Sequence, residues 1–153
     1  MVSYVNTTAE TKAFSDICCT SANALKVVES IPEGKKILFV PDKNLGAYIK
    51  LKTGRDIDLW EGDCCVHERF DTKTVMEMVK NYPMADILIH PESNCSGDPA
   101  IHKLPQAYFY STSGMLSHVR NSSKNEFVII TEIEIIHQLK KENPNREFIP
   151  AGS

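Results

Sequence analysis

The sequence predicts an α/β protein built on short parallel sheets. Apolar runs of strand length recur along the 153 residues, stretches with helical spacing separate them, and polar side chains gather just past the ends of the runs. In order, strands are expected at residues 3–6, 16–19, 36–41, 56–60, 86–90, 107–110, 126–130 and 147–150. Helices are expected at 8–14, 21–31, 43–52, 72–81, 113–122 and 133–142. Strands alternating with covering helices imply parallel pairing by crossover connections, with helices packed on the sheets.

The second half repeats the first. Residues 19–60 lie over residues 110–151 with a small gap, which sets Ser21 on Ser113, Asp42 on Glu132, Ile49 on Leu139 and Asp56 on Arg146. Two similar three-layer α/β domains follow, at 1–63 and 64–153, joined near Cys64 and Cys65.

Composition narrows the function. A net charge of -3 and the lack of a Lys/Arg cluster argue against nucleic acid as a partner. The longest apolar runs are strand-sized, and the sequence 1–10 lacks a basic, apolar leader, so the expectation is a soluble cytoplasmic chain with no membrane partner. Five cysteines, with adjacent pairs at 18–19 and 64–65, do not make a disulfide framework. Reduced thiols available to a metal fit better, although the CxxC spacing of a structural zinc site is missing.

In parallel α/β sheets, ligands sit beyond the carboxyl ends of the strands, and that is where the polar strings fall. Ser21, and Ser111 with Thr112 and Ser113, stand where a strand hands over to a helix. Their hydroxyls and free backbone N–H groups would hold a phosphate or carboxylate, or serve as helix caps. His90 and Glu92, flanking Pro91, make a fixed histidine–carboxylate pair suited to acid–base work, or a histidine satisfied by a turn beside a solvated glutamate. Cys64 and His67 could both be metal ligands, or Cys64 could ligate an iron–sulfur cluster with partners elsewhere. Tyr4 and Asn6 end the first strand, where Tyr4 either hydrogen-bonds a ligand or packs. Lys43 and Asn44 read as surface residues.

Taken in order, YVNTTAETKAFSD, CTSANA, VPDKNLGAY, GDCCVHERF, HPE, STSGM and TEIEIIHQLKKENPNREF resemble quinolinate synthase, over nearly the whole chain. The resemblance implies a pseudo-threefold fold of three α/β domains around a 4Fe–4S cluster, of which this chain matches the second domain and most of the third. It implies condensation of iminoaspartate with dihydroxyacetone phosphate to quinolinate for NAD biosynthesis, with an L-aspartate-oxidising enzyme as a partner supplying iminoaspartate. By position, Tyr4, His90 and Glu92 match catalytic residues; Tyr4, Asn6, Ser21, His90, Glu92, Ser111 and Thr112 match substrate-binding ones. Cys64 matches the second of three cluster cysteines, and the first and third have no counterpart here. Ser93 and Glu134 depart from the family pattern, which carries cysteine and glycine there. An incomplete, inactive fragment is therefore expected; the alternative is a non-enzymatic α/β anion-binding module without a cluster.

Overall fold

The computed structural model describes residues 1–152. Strands β1 (Val2–Tyr4), β2 (Ile17–Cys19), β3 (Ile37–Val40) and β4 (Ile57–Leu59) form one parallel sheet in the order β2-β1-β3-β4. Strands β5 (Asp86–Ile89), β6 (Ala107–Phe109), β7 (Glu126–Ile130) and β8 (Glu147–Pro150) form a second in the order β6-β5-β7-β8. The two orders are the same, which is the structural form of the sequence repeat. Seven of the eight strands fall within the predicted runs, and β1 begins one residue before its run, at Val2.

Helices α1 (Ala9–Ala13), α2 (Ala24–Glu29) and α3 (Lys43–Thr53) belong to the first sheet, and α4 (Thr72–Asn81), α5 (Pro99–His102), α6 (Thr112–Asn121) and α7 (Glu134–Glu142) to the second. A 3-10 turn at Asn94–Gly97 and the short α5 replace the loop that the sequence suggested between β5 and β6. Pro99 opens α5 with its φ preset and no N–H to lose, while the Asp98 carboxylate accepts from Ala100 N at 2.8 Å. The helix expected at 21–31 begins three residues late. Asn23 Oδ1 accepts from Thr20 N at 2.6 Å, a side-chain bond back to residue 20 that competes with helix formation just before α2.

Helices start where capping side chains allow. Asp42 caps α3 through Leu45 N (2.7 Å), Asp71 caps α4 through Thr74 N (2.8 Å) and Ser111 caps α6 through Gly114 N (3.4 Å). Gly54 closes α3 at φ 67°, the left-handed position that glycine adopts without a Cβ penalty.

The first sheet has one core, in which Val2, Cys19, Ile37, Phe39 and Ile57 meet Leu45, Tyr48 and Ile49 of α3 and Ala24 and Val28 of α2. The second sheet has two. Ile87, Ile89, Val128 and Ile130 pack against Phe70, Val75, Cys95 and Ile101, while Leu88, Phe127 and Ile129 pack against α6 and α7. The halves meet where α3 lies against the 3-10 turn, so closely that a Cβ on Gly97 would sit 2.8 Å from that of Ala47.

Candidate active site

Strand β5 runs straight into His90-Pro91-Glu92, and His90 N continues the ladder to Ile130 O at 3.0 Å. Strand β7 ends at Ile130, so Thr131 and Glu132 emerge beside His90. The connection between the halves makes a single turn at Cys64, closed by Glu68 N to Cys64 O (2.9 Å) and pinned by Phe70 in the core. That turn carries His67 inward until it is 6% exposed.

His67 is the centre of the arrangement. Its ring stacks on that of His90, with centroids 4.4 Å apart and planes at 17°. Nδ1 lies 3.3 Å from Cys64 Sγ and 3.5 Å from Glu92 Oε2. Nε2 lies 2.8 Å from Thr131 Oγ1 and 3.4 Å from Glu132 Oε2. The Thr131 hydroxyl donates to Glu132, so its oxygen accepts from His67 Nε2–H. This assigns the tautomer: in the neutral ring, Nδ1 turns its lone pair toward Cys64 and Glu92.

The acid–base pair next to it is buried. Glu92 Oε2 is 3.2 Å from His90 Nδ1, and Glu92 is only 4% exposed. Burial, and then the Asp42 carboxylate, push the Glu92 carboxyl up to about 7. Burial, and then His67, hold His90 down to about 4. Near neutral pH this gives an uncharged imidazole beside a carboxyl group poised between its two forms. The His67 hydrogen bond holds Glu132 down to about 2, so it stays a carboxylate. The Tyr4 hydroxyl interacts with Glu92 and Ser21, and burial raises its pKa, which keeps it a proton donor. Burial also raises Asp42 and the Cys64 thiol.

Both halves contribute to one site. Tyr4 and Asp42 come from the first sheet; Glu92, His90, Thr131 and Glu132 come from the second; Cys64 and His67 come from the connection. Glu68 ties them, accepting from Asn44 Nδ2 at 2.7 Å and Asn94 Nδ2 at 2.9 Å, with Lys43 Nζ 3.4 Å away.

A cavity of about 350 Å³ lies beside this centre, lined by Ser21, Tyr48, Pro91, Phe109, Tyr110 and Ser111 among others. Ser21 falls outside α2 and has no capping role; its hydroxyl meets that of Tyr4 at the cavity wall. Ser111 does cap, and it touches Ser113 Oγ at 3.2 Å. The two serine strings are thus not locally equivalent, contrary to the expectation from the repeat. Thr112 is the first residue of α6, and Asn6 stands exposed past β1.

Two sequence readings are corrected here, and two site residues were missed. Glu92 is not solvated, because the Pro91 turn folds it back under His67. Asn44 is not a surface residue; at 7% exposed, it is buried by its bond to Glu68. Asp42 and Glu132, which sequence reasoning did not single out as site residues, flank the centre from opposite halves. Their alignment on each other in the repeat was the signal that could have found them. Cys18, Cys19 and Cys95 lie away from the centre, with Cys95 in the core, and all five cysteines are free.

The fold and site together define an α/β protein whose two parallel sheets converge on a buried His–Glu pair beside a half-buried cysteine, a donor group able to hold a metal ion. The family model described as Quinolinate synthetase A protein matches residues 1–153, and the chain belongs to that family. It is 47% identical over 156 residues to the quinolinate synthase of Pyrobaculum aerophilum, covering 99% of this chain and 50% of that protein. The corresponding figures are 46% over 151 residues for Gloeothece citriformis (99% and 45%) and 48% over 149 residues for Cyanophora paradoxa (97% and 44%). The chain spans about half the length of the curated relatives it matches. Among the described residues, no helix is long and apolar enough to cross a membrane.

Proposed function

We propose that this chain carries the acid–base half of a quinolinate synthase site, acting in NAD biosynthesis on iminoaspartate and dihydroxyacetone phosphate in the cytoplasm. An L-aspartate-oxidising enzyme would supply the imine. The observation that carries the reading is the half-buried Tyr4 set against the buried His90 and Glu92, with Glu92 raised to about 7.

The condensation joins two carbon skeletons and expels phosphate and water, so protons must leave carbon and reach departing oxygens. Glu92 is balanced to do both near neutral pH. His90, kept uncharged, accepts or relays that proton across the 3.2 Å to Glu92. Tyr4 keeps its proton and donates to a substrate oxygen. Ser21, Ser111 and Thr112, with Asn6 at the rim, are assigned to the carboxylate and phosphate groups. Thr112 offers a hydroxyl at the positive end of α6.

The family also implies a 4Fe–4S cluster, for which Cys64 is assigned as one of three thiolate ligands. The donors gathered here do not fit such a cluster by themselves: they are one thiol, one imidazole and one carboxylate, where the cluster takes three or four thiolates.

A chimaera tests the reading. Residues 1–153 replace the matching half of the Pyrobaculum aerophilum enzyme, and quinolinate formation is assayed anaerobically. Turnover that falls by at least about 100-fold in Glu92→Gln is expected for a lost proton-transfer group. A folded chimaera with no turnover, or with full activity in that variant, rejects it.

A further inference from the structure

We propose that Glu68 is a positioning residue of the site, one carboxylate that sets the spacing of the three segments carrying His67, Asp42 and Glu92. It touches none of the proton-transfer groups itself. The role rests on the acid–base reading above, whereas the geometry behind it stands apart from that reading. Glu68 Oε2 accepts from Asn44 Nδ2 at 2.7 Å, and Oε1 accepts from Asn94 Nδ2 at 2.9 Å. Each partner is a chain neighbour of a site residue. Asn44 stands two residues after Asp42 at the start of α3, Asn94 stands two after Glu92 at the start of the 3-10 turn, and Glu68 itself follows His67.

A chance surface contact would look different. Asn44 is buried, and a buried side-chain amide is costly without a partner. Glu68 supplies that partner from the connection, not from either sheet. Bonds to a carboxylate are shorter and stronger than neutral ones, and its two oxygens here answer donors from opposite sides of the seam, which fixes direction as well as distance. Lys43 Nζ, 3.0 Å from Asp63 and 3.4 Å from Glu68 Oε1, adds a cation on the first-half side. The backbone around Glu68 is also tied: Glu68 N closes on Cys64 O at 2.9 Å, and Asn94 N reaches His67 O at 3.4 Å.

One turn further along α3, the close approach of Gly97 to Ala47 leaves the seam no slack. Glu68 holds the end of the seam nearest the site, where Asp42 and Glu92 emerge from different sheets. Without it, the first-half carboxylate and the second-half pair lose their common reference, and His67 loses its setting on Thr131.

The test follows solvent exchange of the His67 Nε2 proton, held by Thr131 Oγ1 at 2.8 Å, by proton–nitrogen NMR of the full chain. Glu68→Ala should speed this exchange at least about tenfold, the worth of one hydrogen bond to a charged group. Asn44→Ala and Asn94→Ala should each speed it, and should add nothing further to Glu68→Ala. Glu68→Gln keeps the reach and can meet both amides once one of them turns, so it should stay nearer the parent than Glu68→Asp, which keeps the charge but falls one methylene short. Ile37→Val truncates the core at the opposite end of β3, so it should lower stability to urea yet leave the exchange unchanged. If Glu68→Ala does not fold, the two asparagine variants carry the test. Unchanged exchange in those variants, asparagine effects that persist in full without Glu68, Glu68→Asp nearer the parent than Glu68→Gln, or faster exchange in Ile37→Val overturns the proposal. The readout needs no turnover, so a failed condensation assay and a failed clasp are told apart.

Discussion

The two sheets share a strand order but not a setting. In the second, β5 is buried along its whole length, with cores on both faces. In the first, α2 and α3 cover one face, while Leu38 of β3 is 38% exposed on the other and α1 buries none of its residues. Phe14 and Trp60 are also open to solvent. The helix that covers the matching face of the second sheet is α4, which precedes β5 and inserts Val75. The difference teaches how the site is held. Glu92 and His90 hang from the sheet that cannot move without opening two cores, whereas Tyr4 and Asn6 hang from a sheet with one.

The sharpest way to break this contrast is to cut a methyl-rich side chain from each sheet. Ile87→Ala should cost about 2–5 kcal/mol in urea unfolding, since Ile87 is fully buried and leaves a cavity. Leu38→Ala should stay within about 1 kcal/mol, as expected for a side chain already in contact with water. Equal losses at both positions would mean that the first sheet is as well covered as the second.

The seam between the halves comes next. Gly97→Ala forces a Cβ to within 2.8 Å of the Ala47 Cβ, and should cost about 1–3 kcal/mol by overpacking. Because the seam carries the site, this variant should also loosen the Glu68 bridge to Asn44 and Asn94, read as faster amide exchange in residues 64–70. Removing a cap is milder: Asp71→Ala should cost about 1 kcal/mol, read by the same urea unfolding, through loss of the bond to Thr74 N.

The last contrast lies in the pH profile. Glu92 has its folded pKa raised to about 7, so its contribution to stability is fully present below its ordinary value and is lost as pH rises through 7. His90, held down to about 4, acts in the opposite sense: its contribution is present above its ordinary value and shrinks as pH falls toward 4. Glu92→Gln should therefore flatten the fall in thermal stability on the alkaline side and leave the acid side unchanged. An unchanged alkaline limb would show that Glu92 titrates like a solvated carboxylate.

Much of the fold was legible because strands here are apolar runs bounded by polar residues, and all eight overlap runs read from the sequence, seven of them lying wholly inside. What escaped were elements fixed by local side-chain bonds. The bond from Thr20 N back to Asn23 Oδ1 delays α2, and Asp98 with Pro99 starts a helix in a stretch without apolar periodicity. At the site, Tyr4, His90 and Glu92 were singled out at strand ends and Cys64 by its spacing from His67, and the four lie together in the structure. His67 was visible only as a neighbour of Cys64 in sequence. Its partnership with Thr131 and Glu132, 64 and 65 positions on, depends on the sheet pairing of β5 with β7. The raised pKa of Glu92 comes first from its own burial and then from the buried Asp42 of the other half, and neither has a local signature in the sequence.

The central claim is that one site is assembled from both halves. Carbon-13 NMR of the Glu92 carboxyl in the metal-free chain, with and without Asp42→Asn, measures it most directly. Asn keeps the helix cap but removes the first-half charge. Glu92 should titrate near 7 in the parent chain and clearly lower in the variant. Titration at the ordinary glutamate value, or the same midpoint in both proteins, would contradict a shared site.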